Sequence, residues 1–175
     1  MKAEESVILV DENDNEIGVM EKMEAHIQGR RHRAFSIFIF NKKGELLLQK
    51  RAGDKYHSGG KWTNTCCSHP RPGERSEDAA NRRLREEMGM EADLSEVFSF
   101  LYDTEIMPGI IEHEYDHVYV GISDTLPVLN LEEASDYQYI SMKELSDELN
   151  TNPNKYTKWL KICFEKVMEY HHQIF

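Results

Sequence analysis

Residues 73–90 read Gly-Glu-Arg-Ser-Glu-Asp-Ala-Ala-Asn-Arg-Arg-Leu-Arg-Glu-Glu-Met-Gly-Met. Ser76 is a good N-cap, Glu77 and Asp78 fall in the first turn, and Gly89 suits a left-handed C-cap, so the spacing predicts a helix over 76–88. Ala80, Leu84 and Met88 recur every four residues and form its buried stripe, while Arg83 and Glu87 stack on a different face. Strand signals surround this helix. Upstream come strands over 6–10, 34–40, 45–51 and 61–67, with turns at 11–15 and 41–44, one helical turn at 21–25 and a glycine-rich loop over 52–61. Downstream come strands over 97–103, 112–122 and 137–140, then a helix capped by Ser141 to about residue 150 and a longer one from Asn154 to about residue 170. One internal helix and two terminal helices against many strands predict a mixed α/β (α+β) fold, β-sheets sandwiched by helices, and not an alternating doubly wound sheet.

The chain has 175 residues, 39% hydrophobic and 30% charged, with Lys plus Arg 21 and Asp plus Glu 32. That length is expected to form a single domain over 1–175, burying roughly 70% of its unfolded surface. A net charge of −11 and a pI near 5.2 argue against non-specific binding to nucleic acid or to an anionic membrane. A small anion in a local basic pocket remains open. The three cysteines, two of them adjacent at Cys66 and Cys67, make no disulfide framework and suit a reducing cytosol. The acidic N-terminus has no apolar core of a signal peptide, and the longest apolar run, 37–40, is far short of the roughly 20 residues of a membrane span. The expectation is a cytoplasmic protein, a monomer or homodimer.

Several clusters carry chemistry. In Trp62-Thr63-Asn64-Thr65-Cys66-Cys67-Ser68-His69-Pro70, a strand would turn Cys67 and His69 to one side and Cys66 to the other. That is a metal ligand pair, a reactive thiol, or a buried cysteine beside a loop histidine. In Glu112-His113-Glu114-Tyr115-Asp116, three acids share one strand face and repel unless a cation or a shared proton relieves them. His26 and His32, with His69, Glu112 and Glu114, could make a site of three nitrogens and two oxygens, which suits several divalent metals. His113 and His117 point the other way; His57, His171 and His172 read as ordinary. Lys22, Arg51, Lys55 and Arg83 could converge on a phosphate or remain surface charges. Arg82, Glu86 and Glu87 in R-x-x-x-E-E-x-G suit a helix holding Mg²⁺ on a diphosphate, or simple i, i+4 pairs.

The stretch 74–90 resembles the Nudix signature through Glu74, Arg82, Leu84, Glu86, Glu87, Gly89 and Met90. It departs at Ser68, where the signature has Gly, and at Arg83, where hydrolases carry a metal-binding Glu. The chain from about residue 6 to 161 instead resembles the type I isopentenyl diphosphate isomerases. The specific marks are Trp62-Thr63-Asn64, Cys67-Ser68-His69-Pro70, Glu112-His113-Glu114 and the two upstream histidines. The resemblance implies a Nudix-like fold and five divalent-metal ligands, His26, His32, His69, Glu112 and Glu114, holding Mn²⁺, Mg²⁺ or Zn²⁺. It implies Cys67 and Glu114 as catalytic residues, with Tyr102 assisting. Glu87 and the Cys67 carbonyl would bind a Mg²⁺ on the substrate diphosphate, Lys22, Arg51, Lys55 and Arg83 the diphosphate itself, and Trp159 would be an aromatic of the pocket. Asp116 has no role in that pattern.

The implied reaction moves a double bond between isopentenyl and dimethylallyl diphosphate in isoprenoid biosynthesis. It needs an acid and a base on opposite sides of a thin alkene and shelter for a tertiary cation. Two other readings stand beside it: a Nudix hydrolase of a nucleoside diphosphate derivative, and a metal- or phosphate-binding domain without turnover.

Overall fold

The run Ala34-Phe35-Ser36-Ile37-Phe38-Ile39-Phe40 is nearly all apolar, as a strand covered on both faces must be. It lies in β3 (His32–Phe40), the hub of the sheet in the computed structural model, which describes residues 5–55 and 57–175. The expected lack of a leader over residues 1–4, and position 56 of the expected loop, lie outside the described residues.

On one side β3 pairs in parallel with β8 (Ile110–Ile122), His32 opposite Glu114 and Phe40 opposite Ile122. On its other side three partners share its length antiparallel. They are β1 (Ser6–Val10) at His32, β6 (Cys66–Ser68) at 35–37, and β4 (Leu46–Arg51) at Phe40. Outward, β2 (Glu16–Glu21) pairs β1, β7 (Ser95–Met107) pairs β8, and β5 (Trp62–Thr63) and β9 (Ala134–Ile140) both pair β4.

Side-chain alternation on β3 makes two cores. Phe35, Ile37 and Ile39 meet Ala80, Leu84 and Met88 of α2 (Ser76–Met88). Phe38 and Phe40 meet Leu145 of α3 (Met142–Thr151) and Leu160, Phe164 and Val167 of α4 (Lys158–Ile174). The result is three layers, helix, sheet and helix, with α1 (Lys22–Gln28) at the sheet's end. Gly89 ends α2 at φ 59°, and a Cβ there would meet the Val128 carbonyl oxygen at 2.5 Å, so only glycine fits. Among the described residues, no helix is long and apolar enough to cross a membrane.

Four expectations need correction. Ser76 is the first helical residue and not the cap; Arg75 precedes it without a side-chain cap bond. The approach is held instead by Arg82, which donates to both Glu74 oxygens at 2.8 Å. The expected strand over 61–67 is two short strands broken at Asn64 and Thr65. Their side chains replace ladder bonds there: Thr65 Oγ1 donates to the Leu47 carbonyl at 2.6 Å and accepts from the Ile39 N–H at 2.9 Å. This wedge holds β3 and β4 apart beyond their single paired position. The last helix begins at Lys158 and not Asn154, after a 3₁₀ turn over Pro153–Lys155. Tyr156 and Thr157 stay extended because they bond β5, through the Trp62 carbonyl (3.0 Å) and the Thr63 hydroxyl (2.9 Å). Finally, β2 was not foreseen; Gly18 interrupts its short apolar run, whose Ile17 and Val19 are exposed.

Candidate active site

The N-terminal ends of β3 and β8, the end of β6, the 52–61 loop and the starts of α1 and α4 enclose a cleft of about 410 Å³. Its floor follows from strand parity. Glu112, Glu114 and Asp116 alternate on β8 and are all buried, at 5%, 5% and 2% exposure. His113 and His117 face away, to the Gly29 carbonyl and to Asp14.

Histidines gather on this acid row. His26 lies in the last turn of α1, and Gly29, left-handed at φ 64°, turns the chain so that His32 starts β3 with its ring 5.0 Å from that of His26. His26 Nδ1 faces the Lys22 carbonyl at 2.7 Å and His32 Nδ1 the Arg30 carbonyl at 2.9 Å. A carbonyl only accepts, so both Nδ1 atoms carry the hydrogen and both Nε2 atoms keep a lone pair. This is how metal-ligating histidines are oriented. His69, just past β6, brings Nε2 to 2.9 Å from Glu114, and His32 Nε2 lies 3.3 Å from the same oxygen. His57, read from sequence as ordinary, reaches in from the loop to 3.4 Å from Glu112. The Tyr102 hydroxyl sits between the two acids, 2.9 Å from Glu112 Oε2 and also bonded to Glu114 Oε1.

Burial sets the titration of this group. It pushes His26 down, His57 to about 2 with the help of Arg51, and His69 to about 4, so the rings are neutral. Burial and the Glu114 charge lift Glu112 and Asp116 well above the usual carboxylate range. Burial opposes Glu114 as well, but the adjoining His32 and His69 rings outweigh it and hold that carboxyl well below its ordinary value.

The thiol lies across β3 from this row. Cys67 Sγ is 3.0 Å from Asn64 Oδ1 and 3.5 Å from Ser36 Oγ, and the Ser36 hydroxyl donates to Asp116 at 2.7 Å. Burial first, then Asp116, pushes the thiol well up. Cys66 points the opposite way, into the core under α2, and donates to Glu87 at 3.2 Å. Gln49 donates to the same Glu87 oxygen at 2.9 Å.

The four cations read from sequence all line the cleft. Arg83 bonds Glu87 at 2.6 Å and lies 3.4 Å from Glu133, which also holds Lys55. Lys22 pairs with Glu5 at 2.6 Å. The Arg51 guanidinium lies 5.2 Å over the Trp159 ring and donates to the His57 carbonyl at 3.2 Å. Trp159 is buried, and its indole N–H has no acceptor among the described residues. Glu86 and Arg82, named with Glu87 from the helix spacing, do not line the cleft; Glu86 accepts from Arg83 at 2.6 Å and from Arg82 at 3.2 Å. Thus Lys22, Arg51, Lys55, Cys67, His69, Arg83, Glu87, Tyr102, Glu112, Glu114 and Trp159 share one cleft, with His26 and His32 buried behind its wall. Spacing did not indicate Ser36, Gln49, His57 or Glu133. Only Asp116, by parity with Glu114, stood out beforehand.

The Nudix domain family model matches residues 30–160. A protein of Aromatoleum aromaticum named isopentenyl-diphosphate Delta-isomerase 2 is 53% identical over 165 residues, covering 94% of this chain and 87% of that one. One of Pectobacterium atrosepticum named isopentenyl-diphosphate Delta-isomerase is 49% identical, covering 94% and 92%. The chain belongs to the isopentenyl-diphosphate Delta-isomerase family. Among solved structures, a protein from Deinococcus radiodurans superposes with a TM-score of 0.77 at 20% identity, covering 93% of this chain and 98% of that one, which speaks to the fold. A MutT protein from Methanosarcina mazei gives 0.66 at 19% identity, over 80% and 94%. Against the Nudix signature, this isomerase-family member carries a cation at Arg83, and that cation lies on Glu87. The helix therefore offers one acid beside a guanidinium instead of a cluster of acids.

Proposed function

We propose that the protein interconverts isopentenyl and dimethylallyl diphosphate, with Cys67 and Glu114 moving the two protons. The observation that carries this reading is topological. Cys67 on β6 and Glu114 on β8 flank β3 from opposite sides and open into the same cleft. A thin alkene between them meets a proton donor on one side and an acceptor on the other. Whichever group gives a proton to the alkene in one direction takes it back in the other. Tyr102, whose hydroxyl lies between Glu112 and Glu114, holds the carboxylates in place. Adding a proton to the terminal carbon leaves a tertiary cation, and the ring of Trp159 stabilises it by roughly 2 kcal/mol in a dry site. That cation needs shelter from the water that would trap it as an alcohol.

Lys22, Arg51, Lys55 and Arg83 hold the diphosphate, and its binding energy positions the alkene. The described lining has nine acidic side chains against these four cations, so a diphosphate needs further positive charge. Glu87 with the Cys67 carbonyl would hold Mg²⁺ on the diphosphate. His26, His32, His69, Glu112 and Glu114 would hold a second divalent ion, Mn²⁺, Mg²⁺ or Zn²⁺, and their lone-pair orientation and mixed nitrogen–oxygen donors fit one. When bound, that ion supplies positive charge that keeps the two glutamates ionised. The three free cysteines fit a reducing, cytoplasmic setting.

The test is incubation with isopentenyl diphosphate and Mg²⁺ in deuterated water, followed by NMR. Wild type is expected to give dimethylallyl diphosphate carrying deuterium, and Cys67→Ser none. Release of phosphate without isomerisation would overturn the reading in favour of a hydrolase.

A further inference from the structure

The acid row on β8 carries two matched halves. Glu114 has His32 at 3.3 Å and His69 at 2.9 Å. Glu112 has His57 at 3.4 Å and His26 at 4.0 Å. Donor atoms of His26, His32 and His69 all lie within 4.8 Å of one another, and so do those of His26, His57 and Glu112. The two triads share His26. Around an ion with bonds of ~2.1 Å, adjacent donors of an octahedron lie ~3.0 Å apart and opposite ones ~4.2 Å apart. The four His-to-Glu separations fall in that range.

His57 has the character of a ligand. Its side chain is 2% exposed, although it sits in a glycine-rich loop whose neighbours are largely open to solvent. Its Nδ1 is taken up at 3.2 Å by the Ser58 hydroxyl, which leaves Nε2 toward Glu112. Ser58 holds the loop there in a left-handed turn at φ 53°.

We propose that His57 is a sixth ligand of the divalent ion, completing a closed shell of four nitrogens and two oxygens. The proposal rests on the metal-site reading of the other five residues. Two consequences follow from the geometry. A filled octahedron leaves no position for water or substrate, so the ion acts on the reaction only through Glu114 and Glu112. The loop that carries His57 also carries Lys55, and the His57 carbonyl accepts from Arg51, so loading the ion fixes two of the diphosphate-binding cations.

The test reads the metal directly. Co²⁺ affinity is measured by chelator competition on wild type, His57→Ala, His57→Asn and His26→Ala, after thermal melts of the metal-free proteins establish that each is folded. Loss of an outer partner of a metal ligand costs about 10- to 100-fold in affinity, and loss of a ligand is expected to cost at least as much. His57→Asn, polar but too short to reach the ion, should match His57→Ala; a mere polar packing role would be rescued by it. The visible Co²⁺ band should be weak in wild type, as six-coordinate Co²⁺ is, and severalfold stronger in both His57 variants. Unchanged affinity and spectrum at position 57, with His26→Ala weakened, would overturn His57 as a ligand. Unchanged affinity in His26→Ala as well would overturn the metal site itself, and this proposal with it.

Discussion

Ser36 has a single hydroxyl hydrogen, and Asp116 takes it at 2.7 Å. What Ser36 then presents to Cys67 is a lone pair, and Asn64 Oδ1 presents another. Two acceptors and no donor around a half-buried sulfur favour the S–H form and aim its hydrogen, which gives Asp116 a part in the site. Ser36→Ala should therefore lower kcat while leaving KM for the diphosphate substrate unchanged, because the cations lie elsewhere in the cleft. One net hydrogen bond is ~0.5–1.5 kcal/mol, a factor of roughly 2–12 in rate. Ser36→Thr, which keeps the hydroxyl, should retain most of the rate. Steady-state kinetics of the two variants check this, and an Ala variant as fast as wild type would remove Ser36 from the machinery. The pair was not visible beforehand, because it depends on residues 80 positions apart meeting across β3 and β8. His57 escaped notice for a similar reason. A lone histidine among glycines carries no periodicity, and only the folded loop shows where it goes.

At the scale of elements, legibility followed regularity. Alternation placed Glu112, Glu114 and Asp116 on one face of β8, and the same rule separated Cys67 from Cys66. The stripe of Ala80, Leu84 and Met88 and the glycine at position 89 marked α2. Where side-chain bonds stand in for a ladder or a cap, the pattern misled, as at Asn64, Thr65 and the entry to α2. The entry to α2 is the clearest example, since its tie is the fork of Arg82 on Glu74 and not a cap. That bond holds the Glu74 carboxyl below its ordinary value of 4.5. A carboxyl lowered on folding stabilises the fold above its unfolded value, and the contribution fades as pH falls through the folded one. Glu74→Gln should thus cost about 1 kcal/mol near pH 7, the upper range for an ion pair of this exposure. The difference from wild type should shrink toward zero near pH 3. Urea unfolding at the two pH values measures it, and a pH-independent cost would show that packing, not charge, ties the helix entry.

Across the whole molecule, the proposed ion site joins parts that are far apart in the chain. His26 comes from α1, His32 from β3, His57 from the 52–61 loop, His69 from the end of β6, and both glutamates from β8. Without an ion, burial and mutual repulsion keep Glu112 protonated beside an ionised Glu114. An ion that binds the set must displace that proton, so its affinity rises with pH. Its effect on stability is expected to be global, since it closes contacts among five segments and has no counterpart in the unfolded chain. An ion at 1,000 times its Kd adds about 4.1 kcal/mol. At ~2–4 °C per kcal/mol for a chain of this size, chelation should lower Tm by roughly 8–16 °C. The drop should be larger at pH 8 than at pH 6, because less proton competition means tighter binding at the higher pH. Calorimetry with and without chelator at both pH values distinguishes this from adventitious surface binding, which would leave Tm nearly unmoved. A drop that grew as the pH fell would reverse the proton linkage and point to a site other than the buried acid row.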